Sequence, residues 1–600
     1  MRIKWFSSIR VIGLIMVLLY HFFLSIFPGG FVGVDIFFTL SGFLITALFM
    51  DEYTRKGTID VIGFFRRRLY RILPALVLMI LLVVPLALSV RNDFIASIGS
   101  QIAASLGFIT NIFEILAGNG YENQFTPHLF VHTWTLALEV QYYILWVLAV
   151  WWMAKVSKSV GQLRGMIFLS SSALFLLSFL SMFISAFFVE SSSTIYFSPL
   201  THSFPFFLGS ILASLSGIAF PSKNFEHIYQ KLPLKKSLII MGTGLAILLL
   251  LLFVLPFNSI WTYTIGLFTA TVVSGVLIYT ARILHEQTPH IHEPLIVNFL
   301  SDISYGIYLF HSPLYLIFGQ LVNGILAVLL TIFFSVVFSA LSYYIIEPFL
   351  AGKSIRLLQF ELNLKPYSKW IAGVFGILVL ATLVISVTAP KVGSFEREML
   401  TSNLQQADSQ MTATRNAAEN AQASDYNIQP GVTIFGDSVT VRASSAIQTA
   451  LPDAQIDGTV SRHLTEISNL IKLYKDSNTL REDVVVALGT NASEEYKELL
   501  DSLIQESPKG HRLIFVTPYD GNFSVKEDSI PYQIGQYEKK LATENDYITI
   551  ADWFQVAVDN PNIWVGSDLV HFNLQTNGAE LFANNLKTAI EAATSTPVKK

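Results

Sequence analysis

The chain has 600 residues, 52% hydrophobic and 14% charged, with a formal net charge of −4 and no cysteine. It is too long for one ordinary domain and too apolar for an average soluble protein. The lack of cysteine excludes disulfides, thiolate metal sites and cysteine nucleophiles, and no basic domain or finger-like spacing points to nucleic acid.

Residues 1–390 hold apolar runs of about twenty residues, the length that crosses a bilayer core. The first, from Phe6 to Ile26, is interrupted by Arg10 and His21, and Pro28-Gly29-Gly30 lacks a small-x-small cleavage pattern, so it reads as a retained span and not a signal peptide. Candidate spans then follow at 31–50, 72–90, 95–117, 134–153, 166–188, 203–219, 237–256, 260–282, 299–319, 322–346 and 370–389.

Lys and Arg concentrate in cytoplasmic loops. The loop at 51–71 carries Arg55, Lys56, Arg66, Arg67, Arg68 and Arg71, and basic residues recur in the loops at 153–165, 221–237 and 347–370. The connections at 27–31, 189–202, 256–260 and 318–323 have none. These signs agree only if the polar 95–117 segment, with Gln101, Ser105, Asn111 and Glu114, re-enters instead of crossing. The expectation is about eleven spans, a cytoplasmic N-terminus and a C-terminal domain outside the cell.

Ionisable groups inside spans are costly and are functional candidates. Eleven helical steps of about 100° return Arg10 and His21 to nearly one face, roughly 16 Å apart. A neutral histidine at mid-membrane can accept a proton during acyl transfer, although a satisfied bundle histidine is the plainer reading. His132 and Glu139, about two turns apart, share a second face, and Asp35, Ser41 and His311 are further polar intrusions.

Several blocks occur together: Arg10 with His21; Gly33-Val34-Asp35 with Phe37-Phe38 and Ser41-Gly42-Phe43; Arg67-Arg68 with Arg71-Ile72 and Pro74; His132-Thr133-Trp134; and Ser304-Tyr305 with Tyr308-Leu309 and His311. In that order they resemble the acyltransferase-3 membrane family over about residues 1–350. The resemblance implies transfer of acetyl from cytoplasmic acetyl-CoA to an acceptor beyond the membrane. It also implies functional roles for Arg10 and His21 and a site for the CoA phosphates at Arg67, Arg68 and Arg71. His132, Glu139, Asp35 and His311 are candidates for a substrate or relay role. One departure is His202, in the block from Tyr196 to His202.

Residues 351–390 read as a basic cytoplasmic loop and a final span, and 391–430 as a polar tether. Beyond it, strands are expected at Val432–Phe435, Gln455–Val460, Val484–Leu488, Arg512–Thr517 and Tyr547–Ala551. Helices are expected near 441–450, 463–475, 493–505, 531–542 and 575–593. This alternation predicts a parallel sheet covered on both faces, with functional groups at the carboxyl ends of the strands.

Ser438 follows the first strand in Gly436-Asp437-Ser438, Gly489-Thr490-Asn491 follows the third, and Asp568 precedes His571 by three residues before the last helix. A serine nucleophile needs a base, an orienting carboxylate and oxyanion donors. The blocks resemble the SGNH hydrolase family over roughly 430–595. That resemblance implies Ser438 as nucleophile, Asn491 as oxyanion donor, and Asp568 and His571 as the rest of a triad. Gly458 is a weak match to the family's second-block glycine, and Arg462 and His463 beside it read more plainly as surface residues.

A polytopic helical membrane domain joined to an extracellular α/β/α domain resembles the peptidoglycan O-acetyltransferases of Gram-positive bacteria. That implies acetylation of the C6 hydroxyl of N-acetylmuramoyl residues, conferring lysozyme resistance, with glycan strands, acetyl-CoA and the lipid bilayer as partners. No permanently bound cofactor is expected, and no metal-ligand cluster is apparent. An extracellular carbohydrate O-acetylesterase, an O-acetyltransferase for another surface glycan, and a transporter-like body with a wall-binding domain remain as alternatives.

Overall fold

The computed structural model describes residues 3–600 except 91, 118–127, 190, 354, 358–359, 392, 394–396, 398–427, 492–494, 524–528, 566 and 575. The tether expected at 391–430 lies mostly outside the described residues. The chain divides into two compact units, Met1–Gly393 and Ser394–Lys600.

Unit one is helical. Among the described residues, eight helices are long and apolar enough to cross a membrane: Gly30–Lys56, Val61–Val90, Val131–Val156, Val160–Ser185, Leu234–Val254, Thr262–Gln287, Gly324–Leu350 and Ser368–Thr388. Phe6–Phe22 and Phe204–Ser216 are shorter apolar helices, and Leu295–Gly319 is a 25-residue helix that contains Pro313. The 95–117 segment is two short helices, Ile98–Leu106 and Thr110–Ala117, each only about 12–14 Å long. Its polar groups are buried and bonded: Ser105 to Thr133 at 3.0 Å, Asn111 to Gln141, and Glu114 to His128 at 2.9 Å.

The basic stretch at 51–71 differs from the expected loop. Helix extends to Lys56 and resumes at Val61, so Arg66, Arg67, Arg68 and Arg71 ride on the first turns of a 30-residue helix. Hydropathy marks where a helix becomes apolar, not where it starts, because arginine is itself a good helix former. The loop at 347–370 contains a small antiparallel hairpin, β1 (Ile355–Leu357) and β2 (Phe360–Leu362).

The helices Gly33–Lys56 and Phe204–Ser216 approach closely. A Cβ on Gly42 would lie 1.9 Å from the Phe206 carbonyl oxygen, and one on Gly209 would lie 2.0 Å from that of Thr39. Small residues permit such backbone approach between apolar helices, and hydroxyls seal it. Thr46 Oγ1 donates to Ser210 at 2.9 Å and accepts from the Trp146 indole at 2.9 Å.

Unit two is an α/β/α sandwich on a five-stranded parallel sheet: β3 (Gln429–Gly436), β4 (Gln455–Gly458), β5 (Arg481–Ala487), β6 (Arg512–Val516) and β7 (Ile548–Ala551), ordered β4-β3-β5-β6-β7. Side chains alternate between its faces. Ile434, Val485 and Ile514 pack with Ile447, Trp553, Phe582 and Leu586. Phe435, Val484, Val486 and Phe515 pack with Ile471, Leu500 and Leu541 on the other side. The chain winds from β3 to β4 in one direction and returns past β3 to β5, which makes the carboxyl ends of β3 and β5 a topological switch point, where such sheets place ligands.

Replacing Gly42 or Gly209 by Ala should force the two helices apart and destabilise unit one by about 1–3 kcal/mol. A lowered melting temperature of the detergent-solubilised protein checks this; an unchanged melt for both variants would show that the pair yields freely.

Candidate active site

In unit two, β3 ends at Gly436 and the helix Ser438–Ala450 begins two residues later. Asp437 makes this turn sharp. Its N–H donates to the Ala487 carbonyl of β5 at 3.2 Å, and its Oδ1 caps the helix by accepting from the Val439 N–H at 3.0 Å. Burial raises the Asp437 pKa above the usual carboxylate value, with the Val439 and Thr490 hydrogen bonds opposing it. Ser438 is thereby the first helical residue, at a positively polarised N-terminus, and only 4% exposed.

His571 reaches Ser438 from the loop before the helix Gly578–Ala593. Its Nε2 lies 2.7 Å from Ser438 Oγ and its Nδ1 2.7 Å from Asp568 Oδ2. The carboxylate accepts at Nδ1–H, which leaves Nε2 to accept the hydrogen bond of the Ser438 hydroxyl. Asp568 Oδ1 also accepts the N–H groups of Val570 at 3.0 Å and His571 at 2.7 Å, folding the four-residue stretch around its own carboxylate. Burial pushes the Asp568 pKa up, but the hydrogen bond and charge of His571 and these two amides outweigh it and hold the carboxyl below its ordinary value.

Neighbouring elements brace the loop. The Asn522 amide donates to the Asp568 carbonyl at 3.0 Å, and Arg442, on the serine helix, donates to the Phe572 carbonyl at 2.7 Å. Asn491 follows β5, and its Nδ2 donates to the Arg462 carbonyl at 3.0 Å. His463, one of the candidates beside Gly458, is instead the N-cap of a short 3-10 turn, its N–H bonded to Glu466 at 3.1 Å. Arg462 is not a surface residue: it is buried and paired with Asp457 at 2.7 Å.

In unit one the three candidate histidines meet. The rings of His21 and His311 are 4.8 Å apart, and those of His132 and His311 5.9 Å. His311 Nδ1 faces the Tyr308 carbonyl at 2.6 Å and must carry a proton, so the neutral ring presents Nε2 as an acceptor. His21 Nδ1 lies 3.3 Å from that Nε2 and 2.9 Å from the Val17 carbonyl, and can only be the donor to both. The basic nitrogen of His21 is therefore Nε2. Among the described residues no group of three or more His, Asp or Glu is arranged to hold a metal ion.

Asp35 stands apart from this cluster. It is fully buried against His202 at 2.8 Å, whose other nitrogen faces the Tyr196 carbonyl at 2.8 Å. The departure noted at His202 is thus the partner of Asp35, and the pair is walled by Trp134, Phe38 and Tyr196. Glu139 accepts from Ser41 and from Tyr143, while His132 Nε2 faces the Leu309 carbonyl at 2.9 Å. Helical spacing put Glu139 and His132 on one face, but Glu139 turns to the helix that carries Ser41.

Glu139 lines a cavity of about 310 Å³ together with Arg10, Ser41, Arg68, Arg71, Tyr143 and Tyr308. Arg68 lies over the Tyr143 ring at 5.2 Å. A second cavity of about 530 Å³ shares Leu48, Arg68 and Arg71 with the first and adds Arg55, Lys56 and Arg67. Cations outnumber carboxylates in the two linings, although Asp51 and Glu52 also face the second cavity and Glu52 pairs with Lys56 at 3.1 Å. Tyr308 joins cavity and histidines, because its hydroxyl donates to the His132 carbonyl at 2.8 Å. Nothing in the sequence singled out Tyr308 or Tyr143 beyond their place in motifs.

Unit two thus sets a hydrogen-bonded Ser438–His571–Asp568 arrangement at the end of a parallel sheet, and unit one holds a polar cavity lined by arginines. The family model described as "Acyltransferase domain" matches residues 3–347, and the chain belongs to that family. It is 26% identical over 575 residues to the O-acetyltransferase OatA of Staphylococcus aureus (strain MRSA252), covering 92% of this chain and 91% of that one. It is 28% identical over 577 residues to a putative O-acetyltransferase of the same strain, with the same coverage. A solved structure of the Streptococcus pneumoniae peptidoglycan O-acetyltransferase A (OatA) C-terminal catalytic domain, carrying a methylsulfonyl adduct, aligns at 40% identity, covering 29% of this chain and 99% of that one, with a TM-score of 0.28.

Because Asp568 has a lowered pKa, its contribution to stability is complete above the ordinary carboxylate value of about 3.9 and fades as the pH falls through the folded value. Melting curves of the wild type and Asp568→Asn should therefore diverge above about pH 4 and converge below it. A constant gap across the acid range would deny the ionised pair its role.

Proposed function

We propose that the chain is a peptidoglycan O-acetyltransferase that draws acetyl from acetyl-CoA through its membrane unit and delivers it, through an acetyl-serine at Ser438, to the C6 hydroxyl of N-acetylmuramoyl residues. The observation that carries this reading is the pair of 2.7 Å hydrogen bonds by which His571 bridges Ser438 and Asp568, in a chain whose other unit belongs to an acyltransferase family. The similarity to OatA along 92% of the chain supports the acceptor class.

In this mechanism the diphosphate of acetyl-CoA docks among Arg67, Arg68 and Arg71, with Arg10 deeper in the cavity, and His21 Nε2 takes the proton of the group that receives acetyl. At the second site, Ser438 Oγ attacks the acetyl carbonyl and passes its proton to His571 Nε2. The oxygen that becomes negative is stabilised by the helix N-terminus and Asn491, and the donor's leaving group departs with the proton from His571. A muramoyl hydroxyl then gives its proton to His571 and attacks the acetyl-serine, and Ser438 Oγ leaves with that proton from His571 Nε2 as the acetyl–serine bond breaks. Water in place of the sugar would make the same machinery an esterase. A membrane unit of an acyltransferase family favours transfer, since hydrolysis needs no acyl donor.

The Lys and Arg distribution supports an arrangement with the N-terminus in the cytoplasm and unit two outside, where the glycan lies. Because the chain has no cysteine, single introduced cysteines report their side of the membrane cleanly. A cysteine at an exposed position such as Lys587 should react with a membrane-impermeant maleimide in intact cells; protection there until the cells are lysed defeats the relay.

Ser438→Ala should lower acetyl transfer by about 10³-fold or more and remove the 42 Da acetyl mass (about the weight of C2H2O) from peptides spanning residue 438 after donor treatment. His21→Ala or Arg10→Ala should abolish wall acetylation in cells while leaving Ser438 reactive toward a soluble acetyl ester. Loss of both activities in those variants would mean that the two sites do not act in series.

A further inference from the structure

Arg462 sits in the turn after β4, and its guanidinium is 6% exposed. Its Nη2 donates to Asp457 Oδ1 and to Thr459 Oγ1, each at 2.7 Å, and its Nη1 donates to the Asp457 carbonyl at 2.5 Å and to the Gly436 carbonyl at 3.3 Å. Tyr474 holds the other Asp457 oxygen at 2.7 Å. The guanidinium therefore ties the 457–462 turn to Gly436, two residues before Ser438. Ser461, just before Arg462, takes a left-handed φ of 61°, a conformation disfavoured for a residue with a side chain. A buried charge with four hydrogen bonds can hold such a turn.

This turn presents the Arg462 carbonyl to Asn491 Nδ2 at 3.0 Å. A carbonyl only accepts, so it fixes which end of the Asn491 amide faces it and leaves the second N–H of that nitrogen available. Were the carbonyl displaced, the amide could rotate and present its oxygen to the developing oxyanion, turning stabilisation into repulsion. We propose that Arg462 is the positioning residue of the oxyanion site, holding the turn whose carbonyl orients Asn491 toward the acyl oxygen on Ser438. This rests on the acetyl-serine reading above. It assigns to the turn after β4, where Gly458 only weakly matches the resembled family's second-block glycine, an indirect task, orienting a neighbour's donor.

Lysine keeps the charge but lacks the planar fork that spans Asp457, Thr459 and Gly436 together. With the full chain in detergent micelles and p-nitrophenyl acetate as donor, Arg462→Lys should lower kcat about 10-fold with KM unchanged, and Asn491→Ala should lower it by about 10²-fold. In the double variant the effects should not multiply: kcat should fall to that of Asn491→Ala alone, within about twofold. Multiplying effects, or a change in KM alone, would overturn the inference. If Arg462→Lys melts early, Asp457→Asn loosens the same guanidinium isosterically and should show the same non-additivity with Asn491→Ala. Ser438→Ala separates the two readings: donor turnover that survives it removes the acetyl-serine and this inference together. Turnover lost there, with multiplying effects at Arg462 and Asn491, removes only the inference.

Discussion

A polar group withdrawn from water must find a partner, and in a bilayer or under a parallel sheet there is little water to supply one. That constraint organises both units. In unit one it draws Ser41 and Tyr143 onto Glu139, seals Asp35 against His202, and lines up His21, His132 and His311 through backbone carbonyls that fix their tautomers. In unit two it converts Asp437 into a helix cap, folds the Asp568–His571 stretch around its own carboxylate, and gives the Arg462 guanidinium four acceptors. The pairing is not complete: among the described residues, Asp35 Oδ2 and Arg462 Nε are buried with no hydrogen-bond partner.

The same economy makes the sites rigid before any substrate arrives. Acyl transfer gains most from donors and bases already aimed where charge develops, because no reorganisation is then needed during reaction. His571 is fixed at both nitrogens, and the loop that carries it is pinned through the carbonyls of Asp568 and Phe572 by Asn522 and Arg442. The membrane cavity is built differently. Its cations come from three helices, Arg10 on Phe6–Phe22, Arg55 and Lys56 at the end of Gly33–Lys56, and Arg67, Arg68 and Arg71 on Val61–Val90, and the same lining holds the carboxylates of Asp51, Glu52 and Glu139.

Much of this was readable from the chain. Strand positions in unit two follow from short apolar runs between helical patterns: Val432–Phe435 lies within β3, and Tyr547–Ala551 overlaps β7. Boundaries slipped where polar residues continue an element. β5 starts at Arg481 because Arg481, Glu482 and Asp483 extend beyond the apolar run, and the serine helix begins at Ser438 because Asp437 caps it. Ser438, Asp568 and His571 were identified by motif, since Asp and His three residues apart can meet locally. For the 95–117 segment, the loop charges and its polar content pointed to re-entry, and the structure breaks it into two short helices.

What the amino-acid order determined is therefore whatever depends on neighbours in sequence: which segments are apolar enough for lipid, which alternate for a sheet, where a serine is placed on a capped turn, and which histidine has a carboxylate one turn away. The folded arrangement alone decided the long-range partners. Asp35 and His202 are 167 residues apart, Ser41 and Glu139 are 98 apart, and Asn491 and Arg462 are 29 apart. Spacing cannot reveal such pairs, because helix and strand periodicity fixes only the face on which a side chain lies, and the element packed against that face is chosen by the burial and hydrogen bonding of the whole unit.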